Sequence, residues 1–178
     1  EYFYNLYGGC VVSMTIDKYV YVIIKERFDD LIVLNYSQRE IEKNVDNIKH
    51  DLIRECMRYY EIDGGVEITT LADIPSAGSG LGSSSAITVG LCNAFANYVG
   101  RPQSNERYAE IACDIEINTL GSPIGKQDQY ACAMGWFNTI YFSKDRIGVA
   151  PFGSTYYDMA TNLFLHYTHI TRFTNDVL

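Results

Sequence analysis

The order of hydrophobic patterns in this 178-residue chain predicts an α+β fold. Strand-like alternation dominates the early part, helical periods cluster in the middle, and no regular strand–helix–strand repeat runs through the sequence.

From Cys10 to Lys25 the chain alternates and is rich in Val, Ile and Tyr, which reads as one or two strands. Asp29-Asp30 marks a turn, and Leu31–Tyr36 reads as the returning strand. Between Val45 and Tyr60, the positions Ile48, Leu52, Ile53, Cys56, Met57 and Tyr60 follow a helical period that Asp63-Gly64-Gly65 stops. Val66–Leu71 alternates again as a strand. A Gly/Ser-rich segment over 76–85 leads into a largely apolar, buried helix from Ala86 to Val99, ended by Gly100-Arg101-Pro102.

Ser104 opens a further helix running to about Asn118, with Tyr108, Ile111, Ala112 and Ile115 on one face. A Gly/Pro loop spans Gly121–Gly125. Beyond it the patterns predict a short helix at about Gln129–Met134, strands near Asn138–Phe142, Gly148–Pro151 and Leu163–Tyr167, and a helix start at Thr174–Leu178. No internal repeat, low-complexity tract or linker is visible.

Composition narrows the function classes. Hydrophobic residues make up 47% of the chain, ample for one real core. The formal charge of −8, with no Lys/Arg run, argues against a nucleic-acid surface. It does not oppose polyphosphate binding, because backbone N–H groups and a metal can hold an anion. Cys10, Cys56, Cys92, Cys113 and Cys132 are scattered singly, and His50, His166 and His169 offer no zinc spacing. They read as small buried hydrophobes in a reducing, cytoplasmic setting. No apolar run approaches the ~20 residues of a bilayer span, so no membrane partner is expected.

The strongest local feature is Pro75-Ser-Ala-Gly78-Ser79-Gly80-Leu81-Gly82-Ser83-Ser84-Ser85-Ala86. Alternating glycines allow positive φ and close backbone approach. The serines then enter a helix whose first N–H groups lack intrahelical partners and carry the positive end of the dipole. That is an anion cradle, suited to a nucleotide's phosphates. It is neither a Walker A loop, which needs a Lys here, nor a G-x-G-x-x-G fingerprint. On its own it is equally a Gly/Ser turn that caps a helix.

A second feature, Glu116-Ile-Asn-Thr-Leu-Gly121-Ser-Pro-Ile-Gly125-Lys126-Gln-Asp128-Gln-Tyr130, sets one carboxylate at a helix end and another near a helix start across a tight loop. Phosphoryl transfer asks for a metal ligand and a residue to receive the attacking hydroxyl's proton. Taken alone, Asp128 is equally an N-cap and Glu116 a solvated helix residue. Lys126 stands close enough in sequence to depress a carboxylate pKa or touch a transferring phosphate, or it simply faces water.

Gly80-Leu81-Gly82-Ser83-Ser84-Ser85-Ala86 resembles the signature phosphate loop of the GHMP kinases, a family that includes galactokinase, homoserine kinase and mevalonate kinase. Gly121 to Tyr130 resembles the G-x-P-x-G-K-Q-D-Q-Y segment of its heptose-phosphate kinase branch, with fucose kinase domains as cousins. Tyr7–Val20, Phe28-Asp29-Asp30 and Tyr167–Arg172 echo the same branch, so the similarity extends over nearly the whole chain.

The resemblance implies a GHMP kinase N-terminal domain over residues 1–178, like ribosomal protein S5 domain 2, with a mixed sheet, helices packed on one side and a left-handed βαβ unit. It implies ATP and Mg2+ as cofactors and a sugar or sugar phosphate, a heptose phosphate first, as acceptor. Gly78, Gly80, Leu81, Gly82, Ser83, Ser84 and Ser85 would wrap the ATP phosphates. Ser84 and Glu116 would hold magnesium, and Asp128, assisted by Lys126, would orient or deprotonate the sugar hydroxyl. Thr171 and Arg172 follow an expected strand end; there the Arg would fork onto a substrate phosphate, or make a surface ion pair.

Three departures stand against the pattern. The spacing from Pro75 to Gly80 is one residue longer than in most of the family. Trp136 occupies a position where the branch usually has a second Gly. The family's first motif, ahead of residue 1, its glycine-rich third motif and its C-terminal domain are missing from the sequence, that domain beginning at most at about 160–178. The expectation is therefore a piece of a kinase, inactive alone or kept as a non-catalytic binding module; a GHMP kinase for fucose, galactose or an isoprenoid alcohol is the other alternative. Oligomeric state is not readable.

Overall fold

The structure is a computed structural model, and it describes residues 6–74, 80–144, 146–152, 161–164 and 166. The alternating stretch at the start resolves into two strands in different sheets. β1 (Gly9–Met14) pairs antiparallel with β6 (Phe137–Phe142), which pairs antiparallel with β7 (Ile147–Pro151). β2 (Val20–Glu26) is the edge of a four-stranded mixed sheet. There it pairs with β5 (Val66–Ala72), which lies parallel to β3 (Ile32–Asn35), and β4 (Arg39–Glu42) closes the other edge.

The strand after Asp29-Asp30 therefore does not return along its predecessor, because β5 lies between β2 and β3. Side chains in the turn redirect the chain. Arg27 forks onto Asp29 at 2.7 and 2.6 Å, and Asp29 accepts from the Leu31 amide at 3.3 Å. The turn also docks on the one before β5, where the Arg27 amide donates to the Gly65 carbonyl at 2.8 Å. A Cβ at Gly64 would meet the Asp30 carbonyl oxygen at 2.8 Å, so only glycine allows the two turns to touch.

The expected helix over 45–60 is split. A 3₁₀ turn covers Val45–Asn47, and α1 runs from Asp51 to Tyr59 behind an extended His50 cap. α2 spans Ser83–Tyr98, so it begins three residues before Ala86 and takes the serines into its first turn. Ser104 caps α3 (Asn105–Cys113) by accepting from the Arg107 amide at 3.3 Å. The chain then widens into a π-helical turn, Asp114–Thr119, before the Gly/Pro loop and α4 (Gln127–Met134). Leu163, Phe164 and His166 belong to no strand. Residues 165 and 167 of that expected strand, and Thr174–Leu178, lie outside the described residues.

Helices cover one face of the mixed sheet, as the α+β reading requires. Ile32, Leu34, Val66 and Ile68 from the sheet meet Ile53 and Met57 of α1 and Leu91 and Phe95 of α2 in one buried cluster. On the opposite face Tyr21, Ile23 and Leu71 are exposed. α2 lies close to β2, for a Cβ at Gly90 would come within 3.0 Å of Val22 Cγ2. A second cluster joins Ala109, Cys113 and Tyr130 to Ile140 and Phe142 of β6. Among the described residues no helix is long and apolar enough to cross a membrane.

Candidate active site

The N-terminus of α2 is built as the sequence suggests. Gly80 and Gly82 take φ of +69° and +72°, a left-handed backbone that a Cβ would strain. Gly82 is the cap residue and supplies no side-chain hydrogen bond. The Ala86 amide donates to the Gly82 carbonyl at 2.9 Å, the first bond of the helix ladder after its Gly82 cap. With no acidic residue in that first turn, the positive end of a 16-residue helix is free of a competing carboxylate on its own chain segment.

Asp128 lies directly against this turn. A Cβ on Gly82 would stand 3.5 Å from both Cγ and Oδ2 of the Asp128 carboxylate, although 46 positions separate the two residues. Both line a cleft of about 740 Å³. The cleft is lined by Ser13–Val20, by Gly80–Ser83 with the start of α2, and by α4 with Gly135 and Trp136. Asp128 is open to solvent within the cleft, yet enough protein surrounds it that burial pushes its carboxyl above the ordinary range.

Glu116 sits behind this pair. It is 2% exposed, and its Oε2 accepts from Ser85 Oγ at 3.3 Å. Burial drives its carboxyl pKa upward; polar groups of Thr88, Gln129 and Ser85 pull the other way, and the negative charge of Asp128 adds to the rise. Glu116 Oε1 is buried without a hydrogen-bond partner, and Gln129 faces the carboxylate with both amide atoms buried and unpartnered. The π-helical turn carries this carboxylate inward, and its backbone is tied to the following loop by the Ser122 amide on the Glu116 carbonyl at 2.9 Å.

A hard divalent cation fits these donors. The orphaned anionic oxygen, the neighbouring hydroxyls and a second carboxylate felt across the gap make an all-oxygen environment in which a cation would relieve mutual repulsion. Among the described residues no three His, Cys, Asp or Glu side chains form a group that could hold a metal ion.

The predicted site residues do not all converge. Gly80, Leu81, Gly82, Ser83 and Asp128 line the cleft together. Ser85, rather than Ser84, contacts Glu116, while Ser84 is exposed at the helix start. Lys126 lines a separate depression of about 280 Å³ with Tyr59, Arg107 and Glu110. Gly78, Thr171 and Arg172 lie outside the described residues. Sequence reasoning missed Gln129 and Thr88. Gln129 adjoins Asp128, and Thr88 is a polar residue set between the apolar Ile87 and Val89. Sequence reasoning also read the cysteines as small buried hydrophobes, which Cys56, Cys92 and Cys113 are, whereas Cys10 is exposed. Cys132, 3.9 Å from the Gly82 carbonyl, has its thiol pushed up to about 12 by burial.

Residues 47–136, half of the chain, match the model of the GHMP kinases N terminal domain. The chain belongs to the GHMP kinase family. It is 30% identical over 187 aligned positions, 96% of its length, to a D-glycero-alpha-D-manno-heptose 7-phosphate kinase of Campylobacter jejuni, of which it covers 55%. A mevalonate kinase of Saccharolobus solfataricus is 28% identical over 77% of this chain and 46% of that protein. The chain thus spans about half the length of the curated relatives it matches. Among solved structures, a D-glycero-D-manno-heptose 1-phosphate kinase from Bacteroides thetaiotaomicron superposes with a TM-score of 0.77 at 32% identity, covering 84% of this chain and 53% of that one. A putative sugar kinase from Campylobacter jejuni gives 0.72 at 29%, over 80% and 47% respectively.

Proposed function

We propose that this chain forms the nucleotide-binding and catalytic half of an ATP-dependent kinase that phosphorylates a hydroxyl of a sugar phosphate, a heptose phosphate being the first candidate. The observation that carries the reading is the Asp128 carboxylate packed against Gly82, the cap residue at the start of α2. A phosphate loop and a proton acceptor share one cleft there.

The amides of Ser83, Ser84 and Ser85 and the glycine turn bind the β- and γ-phosphates and fix the γ-phosphorus at the helix start. Asp128 accepts a hydrogen bond from the acceptor hydroxyl and takes its proton as the hydroxyl oxygen attacks. The new O–P bond forms while the bond from the γ-phosphorus to the β–γ bridging oxygen breaks, and that oxygen leaves on ADP. The raised carboxyl pKa of Asp128 makes it a better base than an ordinary surface aspartate. Glu116, with the hydroxyls of Ser84 and Ser85, would hold Mg2+, which neutralises phosphate charge when bound. Most of the rate gain is positioning and charge neutralisation. Lys126 acts from its own side of α4, through its charge rather than by contact in the cleft.

The test is to give the intact protein MgATP with heptose 7-phosphate, fucose, galactose or mevalonate, and to follow ADP release and the new phosphate ester by phosphorus NMR. A new ester on heptose 7-phosphate supports the full reading. Transfer only to another acceptor keeps the chemistry and replaces the substrate. MgATP binding without transfer to any of them identifies a non-catalytic module.

A further inference from the structure

Among the described residues, four buried side-chain polar atoms lack a hydrogen-bond partner, and three of them belong to two neighbouring side chains. These are Glu116 Oε1 and both amide atoms of Gln129; the fourth is the Tyr60 hydroxyl. Buried polar groups are nearly always paired, so such a cluster asks for a cause. Packing does not supply one. Gln129 is 0% exposed, and a methionine of similar shape would fill the same interior without leaving a donor and an acceptor unpaired.

The place of Gln129 in the chain indicates what it serves. Asp128 and Gln129 are consecutive on α4, and successive residues of a helix point about 100° apart. Asp128 lines the cleft, whereas Gln129 turns into the interior beside the Glu116 carboxylate. The hydroxyls near that carboxylate leave Oε1 unserved. Ser85 Oγ donates to Oε2 at 3.3 Å, and Thr88 Oγ1 gives its one proton to the Ser84 carbonyl at 3.0 Å. The Gln129 amide nitrogen carries two N–H donors, and in this structure neither is spent. It is the group with a donor to give. Gln129 is also among the groups that favour the ionised form of Glu116.

A carboxylate that holds a cation needs a fixed rotation, and a hydrogen bond from a neighbouring residue supplies it. Each carboxylate oxygen has two lone-pair sites, so a bond to Oε1 still leaves one for the cation. We propose that Gln129 is a positioning residue of the cation site: in the cation-bound protein its Nε2 donates to Glu116 Oε1, fixes the rotation of that carboxylate and ties it to the helix that carries Asp128. This rests on the kinase reading above and adds to it the residue that orients the cation's ligand.

The test is a double-mutant cycle on the intact protein. Mn2+ is the probe, and its affinity in the presence of a non-hydrolysable ATP analogue is read by electron paramagnetic resonance. Gln129→Met should weaken Mn2+ binding about tenfold, as the loss of a group that supports a metal ligand does. In a Glu116→Gln background the same substitution should change it by no more than about twofold, because the carboxylate through which Gln129 acts is gone. Affinity for the analogue without metal should stay at the wild-type value in all four proteins. Tm reports folding; should Gln129→Met fail to fold, Gln129→Asn, which keeps the amide but withdraws it by one methylene, takes its place with the same expected loss. Mn2+ binding within about twofold of wild type in the position-129 variant, or an equal loss with and without the Glu116 carboxylate, overturns the proposal and leaves the kinase reading standing. Wild-type protein that neither binds Mn2+ with the analogue nor transfers phosphate from MgATP overturns both.

Discussion

Glu116 is the residue at which stability and function pull hardest in opposite directions. A carboxylate that is 2% exposed with one oxygen unpartnered destabilises the ligand-free protein when charged. Because its folded-state pKa lies above the unfolded value, the folded protein binds the extra proton between the two. The stability this group contributes is therefore greatest below the unfolded pKa and declines as pH rises through the folded pKa. Glu116→Gln should raise the Tm of the ligand-free protein at pH 7 to 8, and the gap to wild type should narrow as pH is lowered toward 4.5. The same variant should weaken Mn2+ binding to the nucleotide complex, read by electron paramagnetic resonance, at least tenfold. A lower Tm at pH 7 together with unchanged Mn2+ binding would show that Glu116 is a structural group.

Residue identity alone could not reveal this. Glu116 lies on a segment that reads as an ordinary continuation of the helix opened by Ser104, with a solvated acid near its end. The widening of that helix into a π turn changes which side chains face inward, and no periodicity signal marks it. The glycines were more legible. Positive φ at Gly80 and Gly82 is what an alternating Gly pattern before a helix requires. Which serine meets Glu116 was less so: three in a row give no sign of it, and in the fold Ser85 makes the hydrogen bond.

At the scale of elements, α2 does two jobs: it fills the core and aims its N-terminus at the cleft. Gly90 connects them. Glycine in a helix interior costs roughly 1 kcal/mol relative to alanine, and here it lets the helix approach β2, where a Cβ would meet Val22 Cγ2 at 3.0 Å. Gly90→Leu should force the two elements apart and lower stability by about 1–3 kcal/mol, measured by urea denaturation. Because the displaced helix carries Ser83–Ser85, MgATP affinity by calorimetry should fall in the same variant. A loss of stability with full affinity would show that the helix start is positioned independently of β2.

Strand pairing is where element-level reading fell short. Each of the strands at 66–71, 138–142 and 148–151 was visible as alternation, and β1 and β2 together filled the alternating stretch that begins the fold. Partner choice was not visible. β3 follows a turn that looks like a hairpin, but Arg27, Asp29 and Gly64 steer the chain over β5. β4 escaped notice because Arg39-Glu40-Ile41-Glu42 is short and charged. Its Glu40 is buried as an acceptor for the Tyr36 hydroxyl and the Lys49 and His50 amides.

For the molecule as a whole, the larger core cluster joins the mixed sheet to α1, α2 and α3, while the smaller one ties α3 and α4 to β6. The cleft lies where elements from both meet, so Asp128 and Gly82 stay in register only while α2 and α4 remain packed. Phe95, fully buried in the larger cluster with its ring 6.1 Å from that of Tyr60, bears much of this packing. Phe95→Ala should cost about 3–5 kcal/mol by chemical denaturation. A cost below about 1 kcal/mol would mean the cluster can collapse around the gap.

The central claim is that Asp128 serves the acceptor's proton and not the fold or the nucleotide. The direct measurement is Asp128→Asn in the intact protein, with phosphoryl transfer to heptose 7-phosphate and calorimetric MgATP affinity taken on the same preparation. The account predicts a loss of transfer of at least about 10²-fold, the low end of general-base catalysis, with MgATP affinity and Tm nearly unchanged. Transfer at the wild-type rate would contradict it.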